Sequence, residues 1–414
     1  MKQLNYIDLF AGAGGLSEGF IRAGYNPIAH VEMNKEACDT LKTRAVYHYL
    51  KENKNLNLYA DYLQNEQRKK EQLWSLAPKS LIDSIINQEI SENSIDAIFN
   101  TIDNRMQNEN IQNVDIIIGG PPCQAYSVAG RARKNMEEDP RNHLYKYYVK
   151  FLEKYQPKMF VFENVPGILS AKNGEFLNLI FEAVENAGYN LDIPPKKYLN
   201  AKHFGVLQDR KRVIIIGWKK ELGLSYPNFE ENENSFQILK DLFSDLKPLQ
   251  NGQGTWNAVK YNTKATDYLK SSKIRDEFNF VTQHLARPNN PTDLAIYKIA
   301  VTQWNKGNRL NYAKLPTELI KHNNTTSFTN RFQVVNGFGV SHTVVAHIAS
   351  DGHYYIHPDI NQNRSITVRE AARIQSFPDN YFFEGSRSSA FKQIGNAVPP
   401  LMAEKIAHKI KEMI

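Results

Sequence analysis

The stretch DLFAGAGGLSEGF, residues 8–20, decides the fold class. The apolar run YIDLF (6–10) predicts a β-strand, and a glycine-rich turn follows it. The next residues, LSEGFIRAG (16–24), have the apolar spacing of a helix. A strand, a tight turn and a helix in this order are typical of the first unit of an α/β protein.

Four further apolar runs extend this unit into a sheet. Continuous apolar runs that end in glycine or polar residues are typical of parallel strands that are covered on both faces. Because helix-like stretches separate the strands, we predict an α/β fold with a doubly wound, mostly parallel sheet. The runs are NPIAHVEM (26–33), VDIIIGG (114–120), KMFVFENV (158–165) and RVIIIGW (212–218).

The composition of the 414 residues excludes several classes of protein. With 41% hydrophobic and 23% charged residues, the chain is neither disordered nor collagen-like nor a coiled coil. Only two cysteines occur, Cys38 and Cys123, which excludes a disulfide framework and a cysteine-rich zinc module, and we expect no metal site. The sequence has neither a secretory signal nor an apolar run near the ~18 residues of a spanning helix, so we expect a cytoplasmic protein.

Changes in sequence character divide the chain into three parts. Residues 1–219 contain the strand runs, with a polar, helix-prone insertion at about 45–95. Residues 220–362 have few strand signals and many asparagines. Residues 363–414 regain regular patterns, and SITVREAARIQSFPD (365–379) predicts a capped amphipathic helix.

The middle part contains a basic segment. Residues 251–340 hold twelve Lys and Arg against five Asp and Glu, an excess equal to the net charge of +7 of the whole chain. A basic, asparagine-rich segment suits contacts to phosphates and hydrogen bonds to base edges. A solvated accessory domain would have the same composition, which leaves both interpretations open.

The glycine-rich turn predicts a site for a nucleoside-type cofactor. Gly12, Gly14 and Gly15 allow the backbone to approach a ligand closely, and the helix behind them offers free N–H groups. Glu32, at the end of the second strand, can accept hydrogen bonds from both hydroxyls of a ribose. Ser17 stands where a strict G-x-G-x-x-G pattern needs its last glycine, so a dinucleotide is disfavoured.

Three more strand ends carry reactive side chains. GGPPCQAYS (119–127) presents Cys123 in a turn that two prolines fix, which favours a nucleophile over a buried structural thiol. FENVPGIL (162–169) places Glu163, a candidate acid, at the end of another strand. Arg210 and Arg212 are two residues apart, a spacing that predicts one shared face suited to an anion or a carbonyl oxygen. Taken singly, Glu163 and the two arginines also fit ordinary surface roles.

In this order, these motifs resemble the bacterial DNA (cytosine-5)-methyltransferases of restriction-modification systems. The resemblance covers residues 6–38, 114–218 and 364–414, somewhat under half of the chain. Seven ordered blocks make it highly specific. They are DLFAGAGG, VEMN, GGPPCQAYS, ENV, QDRKR, REAARIQSFPD and QIGNAVPP.

The resemblance implies the S-adenosylmethionine-dependent methyltransferase fold and a covalent mechanism. Cys123 matches the nucleophile that adds to C6 of cytosine, and Glu163 the carboxyl that holds or protonates N3. Arg212 should contact the cytosine O2 and place Glu163, while Arg210 should support the catalytic loop or the base. S-adenosylmethionine should supply the methyl group that C5 takes, and loss of the C5 proton should release Cys123 and leave 5-methylcytosine.

The resemblance also implies a set of cofactor contacts. Glu32 should bind the ribose, and Met33 should pack on the adenine, where many relatives have an aromatic residue. Relatives usually have an acidic residue near the adenine. Here the matching region is 100–105, where Asp103 or Thr101 could serve. The other residues expected around the cofactor are Phe10, Gly12, Gly14, Leu16, Pro122 and Asn396.

Double-stranded DNA is the partner that the resemblance implies, with the target cytosine flipped out of the helix. The loop 125–143 should close over the base, and residues 220–362 should form a smaller, irregular target-recognition domain. The terminal helix (about 399–413) should pack onto the first strand and helix. We expect a monomer, acting at the bacterial nucleoid, with a restriction endonuclease of the same specificity as its counterpart.

Three other functions are compatible with part of the pattern. Some relatives methylate tRNA, but the large region between QDRKR and REAARIQ favours duplex DNA. A non-enzymatic DNA-binding protein would not need Cys123, Glu163, Arg210 and Arg212 together. A nicotinamide-dependent oxidoreductase follows from the glycine turn alone, and the Pro-Pro-Cys block speaks against it.

Overall fold

A computed structural model describes residues 3–122, 143–233, 235–275, 277–321 and 329–414. Its centre is a sheet with the strand order β3-β2-β1-β4-β5-β9-β6, with β7 paired to β9. Among the described strands of this sheet, β9 is antiparallel to its neighbours β5, β6 and β7, and all other pairs are parallel. This confirms a mostly parallel α/β sheet. The strands are β1 (Asn5–Leu9), β2 (Asn26–Glu32), β3 (Ile85–Asn87), β4 (Ile116–Gly119), β5 (Met159–Asn164), β6 (Tyr189–Asp192), β7 (Leu199–Asn200) and β9 (Lys211–Lys219), with β8 (Gln208–Asp209) outside the sheet.

Helices cover both faces of the sheet, which explains the continuous apolar runs. In β4, Ile117 belongs to one apolar core, whereas Ile116 and Ile118 belong to the core on the other face. No helix in the described ranges is long and apolar enough to cross a membrane. The α-helices are α1 (Gly15–Arg22), α2 (Lys35–Glu52), α3 (Leu56–Gln64), α4 (Lys70–Trp74), α5 (Lys79–Asp83), α6 (Ile95–Asn108), α7 (Leu144–Tyr155), α8 (Glu175–Asn186), α9 (Asp267–Ser271), α10 (Pro291–Trp304), α11 (Val368–Ile374), α12 (Arg387–Asn396) and α13 (Pro400–Lys411).

The stretch 45–95 is more than the helical surface insertion that its polarity predicted. It ends in the edge strand β3, whose Ile85 and Ile86 are buried and pair with β2. Aromatic side chains of its helices pack against Phe280 and Phe382. The apolar residues of LIDSII are spaced equally well for a short helix and for a strand, so the edge strand was not visible in the sequence.

The middle of the chain is irregular, as its composition indicated. Its regular strands are two residues long and pair β10 with β13, β11 with β12, and β14 with β8. One apolar core joins this region to the return segment, because Ile238 and Tyr355 share a cluster with Ile374 and Phe391. The strands are β10 (Gly254–Thr255), β11 (Val259–Lys260), β12 (Phe280–Val281), β13 (His284–Leu285) and β14 (Ser341–His342).

The return segment differs from its prediction in one respect. Helix α11 has the predicted cap, a reciprocal pair between Thr367 and Glu370. It is not amphipathic, because all seven of its residues are buried. Its charged side chains are satisfied inside the protein: Arg373 pairs with Asp245 and Asp379, and both of these carboxylates are buried as well.

The terminal helix α13 packs directly on α1, as expected. A Cβ atom on Gly19 would lie 2.4 Å from the Cβ of Ala403, so the two helices approach too closely for a side chain at this position. The end of the chain therefore completes the layer that covers the first strand and helix.

Candidate active site

The glycine-rich turn between β1 and α1 has an unusual backbone. Phe10, Gly12 and Gly14 all adopt positive φ angles, of 56°, 56° and 78°. A Cβ atom on Gly14 would lie 2.7 Å from Leu41 Cδ2, whereas one on Gly12 would have no atom within 4 Å. Gly14 is thus needed for packing, and the space beside Gly12 is open to a ligand.

Glu32 connects this turn to the end of β2. Its carboxylate accepts hydrogen bonds from the backbone N–H groups of Gly12 and Asn34, each at 2.8 Å. Burial raises the pKa of Glu32, and the two N–H donors oppose that rise. Beside it, the Met33 side chain is 62% exposed and is free to cover a flat apolar ring.

The remaining cofactor predictions differ in how accessible the structure leaves them. Leu16 is buried in the core between α1 and α13, which leaves little of its side chain for a ligand. Phe10 is half-buried and packs against the opposite core. Asn396 is exposed at the last residue of α12, and Pro122 is half-buried at the end of its turn.

The structure gives no support for the expectation that Asp103 or Thr101 contacts the adenine. Both lie on helix α6, where Asp103 pairs with Lys154 at 2.8 Å and Thr101 donates to its own helix. The third strand instead ends at Asn87, which pairs with Glu32 in register.

The residues at that strand end were missed. Asn87 donates hydrogen bonds to the carbonyls of Glu32 and Met33, at 3.1 and 2.9 Å. Glu89 follows two residues later and is exposed. Because the edge strand could not be recognised in the sequence, Asn87 and Glu89 could not be placed at a strand end.

Asp8 also went unnoticed. It is buried at the end of β1, and its Oδ2 has no hydrogen-bond partner among the described residues. Burial raises its pKa well above the usual range, and the nearby Glu32 raises it further.

The Gly-Gly-Pro-Pro turn after β4 is pressed against the end of β5. The Asn164 amide donates to the carbonyl of Pro121 at 3.1 Å. A Cβ atom on Gly120 would lie 2.6 Å from Glu163 Oε2, so a side chain at this position would displace the carboxylate. The predicted nucleophile Cys123 and residues 125–142 of the predicted closing loop lie outside the described residues.

Glu163 and Arg212 form an ion pair across the neighbouring strands β5 and β9. Arg212 Nε lies 2.7 Å from Glu163 Oε1, and the two side chains are only 10% and 13% exposed. Burial lowers the pKa of Arg212, and the carboxylate of Glu163 opposes this effect. One cation is therefore held against one carboxylate at the edge of the sheet where the glycine turn also lies.

Arg210 feels the charge of Glu163 but makes its hydrogen bonds elsewhere. It is fully buried, and it donates to the carbonyls of Val344 and Gly395 at 2.7 and 3.1 Å. Burial holds its pKa well below the usual range, and Arg212 nearby lowers it further. Since β8 ends before Arg210 and β9 begins after it, the two arginines do not act as the simple same-face pair that their spacing predicted. Arg210 instead joins the segment between β8 and β9 to the middle and return segments.

Comparison with protein families identifies the family to which this chain belongs. The family model for C-5 cytosine-specific DNA methylases matches residues 4–63 and 79–412, nearly the whole chain. The chain belongs to this family. It is a cytosine-5 DNA methyltransferase of the type II restriction-modification kind, and its substrate is DNA.

Individual relatives agree with the family. The chain is 42% identical to the type II methyltransferase M.Bpa9945I of Bacillus paralicheniformis, over 99% of this chain and 98% of the relative. It is 31% identical to M.DdeI of Desulfomicrobium norvegicum, over 98% and 88%. A solved structure described as a prophage-encoded DNA modification methyltransferase of E. coli has the same fold, with a TM-score of 0.63, 24% identity and 99% coverage of both chains.

Methyltransferases of this family generally use S-adenosylmethionine, and the residues present fit that molecule. The open space beside Gly12 can take the part of the cofactor that lies against the turn. The carboxylate of Glu32 suits a ribose, and the exposed Met33 suits an adenine.

Proposed function

We propose that this enzyme methylates C5 of a cytosine flipped out of a specific duplex site, through a covalent bond between Cys123 and C6. The ion pair of Glu163 and Arg212 carries this proposal, because it sits directly beside the turn that leads to Cys123. A carboxyl next to a bound pyrimidine can hold or protonate N3, and a guanidinium can donate to O2.

The chemistry then needs few groups. The Cys123 thiolate adds to C6 while Glu163 supplies the hydrogen bond or proton to N3, and C5 becomes nucleophilic. S-adenosylmethionine supplies the methyl group that C5 takes. Transfer of the C5 proton to water returns its electron pair to the ring, expels the Cys123 thiolate and gives any N3 proton back to Glu163. Arg212 orients Glu163 throughout, and Arg210 positions the strand that carries Arg212.

The cofactor is held by residues at the ends of β1, β2 and β3. We infer that Glu32 binds the ribose and Met33 covers the adenine. Glu89, exposed just after β3, takes the acidic contact in place of Asp103 and Thr101, which lie within helix α6. The remaining contacts come from Phe10, Gly12, Pro122 and Asn396, while Gly14 and Leu16 serve the packing behind the turn.

The basic middle region provides the DNA-binding surface of this proposal. Its excess of Lys and Arg suits the phosphate backbone, and its many asparagines suit base edges. The enzyme acts as a monomer on the chromosome in the bacterial cytoplasm, and its methylation protects the site from a restriction endonuclease of the same specificity.

Bisulfite sequencing tests this function. The purified enzyme is incubated with unmethylated genomic DNA and S-adenosylmethionine, and every cytosine is read. We expect methylation within one short recurring sequence, and none with Cys123→Ser. Methylation by the Cys123→Ser variant would refute the covalent mechanism. No methylation of DNA, followed by methylation of tRNA in the same assay, would refute the duplex substrate.

A further inference from the structure

The end of helix α12 leads into residues that lie against the glycine-rich turn. A Cβ atom on Gly15, the first residue of α1, would lie 2.3 Å from the carbonyl oxygen of Val398 and 3.0 Å from the Cβ of Ala397. Asn396 comes immediately before these two residues, and it is exposed. The chain that follows Asn396 is therefore packed against the turn in which the space beside Gly12 is open.

A buried glutamine holds the backbone on both sides of Asn396. The last carbonyl groups of an α-helix have no partner in the helical pattern, so other groups must donate to them. The Gln375 side-chain amide donates to the carbonyls of Ile394 and Ala397, at 2.6 and 3.2 Å. Gln375 itself is fully buried, at the C-cap of α11. One buried group thus ties down the carbonyl two residues before Asn396 and the carbonyl one residue after it.

The orientation of the Gln375 amide is fixed from its other side. Its Oε1 accepts a hydrogen bond from the side-chain amide of Gln208 at 2.7 Å. Gln208 Oε1 in turn accepts from the backbone N–H of Val344 at 2.8 Å. Because a backbone N–H can only donate, Gln208 must turn its oxygen to Val344 and its NH₂ group to Gln375. Gln375 must then turn its own NH₂ group to the two carbonyls of the α12 end.

Burial makes this network stiff. Gln208, Gln375 and Arg210 are all fully buried, and Arg210 donates to the carbonyl of Gly395, directly before Asn396. Hydrogen bonds are stronger in the protein interior than in water, and a buried carbonyl that loses its donor is unfavourable. The end of α12 therefore has little freedom to shift, and the direction in which Asn396 projects is fixed.

We propose that Gln375 is a positioning residue for the methyl donor, and that it acts through Asn396. This inference rests on the proposed function, in which Asn396 contacts S-adenosylmethionine. A ligand binds more tightly to a group that is already held in its binding position, because less conformational freedom is lost when the contact forms. Without the Gln375 amide, part of the binding free energy is used to order the end of α12.

A double-mutant cycle tests this indirect role. Gln375→Met removes the amide and nearly keeps the volume of the side chain, and Asn396→Ala removes the side chain that reaches the cofactor. The Kd for S-adenosylmethionine is measured by calorimetric titration for the wild type, the two single variants and the double variant. Gln283→Met is the control. It removes another fully buried amide, which bonds to the backbone of Phe383 instead of α12.

We expect Gln375→Met to weaken the binding of S-adenosylmethionine about fivefold and Asn396→Ala about tenfold, within the range for one hydrogen bond. The double variant should stay near the loss of Asn396→Ala alone, instead of reaching the product of the two, about fiftyfold. Gln283→Met should keep the wild-type affinity, although its melting temperature falls as well. At saturating S-adenosylmethionine, Gln375→Met should methylate DNA at nearly the wild-type rate.

A second variant serves if Gln375→Met does not fold. Gln208→Met removes the donor that orients the Gln375 amide, while the amide itself remains. We expect it to weaken S-adenosylmethionine about threefold, and this loss should again not add to that of Asn396→Ala.

Three results, with either variant, would overturn the inference and leave the proposed function intact. The first is wild-type affinity for S-adenosylmethionine. The second is a loss in the double variant equal to the product of the single losses, which would mean that Gln375 supports the fold without acting through Asn396. The third is an equal loss for Gln283→Met. Wild-type affinity of Asn396→Ala would instead refute the cofactor contact that the proposed function gives to Asn396.

Discussion

At the scale of single residues, the site depends on two kinds of close approach. The Glu163–Arg212 pair is partly shielded from water, so the interaction between its charges is stronger than at the surface. Gly120 leaves room for the Glu163 carboxylate, and Gly14 leaves room for Leu41. Two residues without a side chain therefore leave room for the Glu163 carboxylate and for Leu41.

Replacing Glu163 by Gln tests the role of its carboxyl group. Glu163→Gln keeps the shape but removes both the proton donor and the negative partner of Arg212. We expect single-turnover methylation to slow about 10²- to 10⁴-fold, while the Kd for duplex DNA changes by less than about fivefold. The control is Glu231→Gln. It removes a carboxylate that pairs with Lys196 and lies far from Glu163 and Arg212 in sequence. Equal losses in rate and in DNA affinity would indicate a structural role.

Alanine at Gly12 and at Gly14 should separate cofactor binding from packing. Both positions have positive φ, so each substitution costs about 1–2 kcal/mol of stability through the backbone. At Gly14 the added methyl also meets Leu41, and we expect a further loss of about 1–3 kcal/mol. Gly12→Ala should be more stable than Gly14→Ala. It should bind S-adenosylmethionine about tenfold more weakly than the wild type, because the added methyl group fills the open space.

Thermal unfolding and calorimetric titration measure these two effects. A Gly12→Ala variant with wild-type affinity for S-adenosylmethionine would show that the cofactor does not use the space beside this turn.

At the scale of elements, the buried helix α11 ties the middle region to the return segment. Arg364 forms a two-pronged pair with Glu370, with both N–O distances at 2.7 Å. Arg369 donates to the carbonyls of Thr282, Pro378 and Tyr381, which come from two separate segments. The charged side chains of and just before α11 therefore hold in place segments of the middle region and the return segment that have little regular secondary structure.

The pH dependence of stability should reveal the Glu370 pair. Arg364 holds the pKa of Glu370 well below its usual range against the effect of burial, so this pair stabilises the fold above the unfolded-state pKa of about 4.3. We expect Glu370→Gln to cost about 3–5 kcal/mol at pH 7, because it leaves Arg364 buried without a counter-charge. As the pH falls below about 4, the wild type should lose this advantage.

Denaturant unfolding of both proteins between pH 3 and pH 8 measures the difference. Glu412→Gln, on the exposed Lys409–Glu412 pair, should leave the stability nearly unchanged at every pH, because water screens this pair. A Glu370→Gln deficit that stays constant down to pH 3 would contradict the ion-pair explanation.

Sequence patterns predicted these elements unevenly, for physical reasons. Strands β1, β2, β4, β5 and β9 are long or continuously apolar, and both properties are visible in sequence. Strand β3 has only three residues, and only its register with β2 distinguishes it from helix. Helix α11 was predicted from its cap, but its burial depends on partners such as Asp245, more than 100 residues away.

At the scale of the whole molecule, the two ends of the chain and its middle share their cores. Helix α13 closes the layer over α1, and the core around Ile238 and Ile374 joins the middle region to the return segment. Arg210 links the same parts through Val344 and Gly395. Contacts between distant segments of this kind are fixed by tertiary packing, which is why the sequence motifs located Glu163 and Arg212 but not the different partners of Arg210.

The covalent bond between Cys123 and cytosine is the central claim, and trapping it is the most direct test. Genomic DNA copied with 5-fluorodeoxycytidine triphosphate is incubated with the enzyme and S-adenosylmethionine, because fluorine at C5 blocks the final elimination. We predict a stable enzyme–DNA adduct whose peptide carries the nucleotide on Cys123, and none with Cys123→Ser. An adduct on another residue, or methyl transfer to ordinary DNA with no adduct on the fluorinated DNA, would contradict the mechanism.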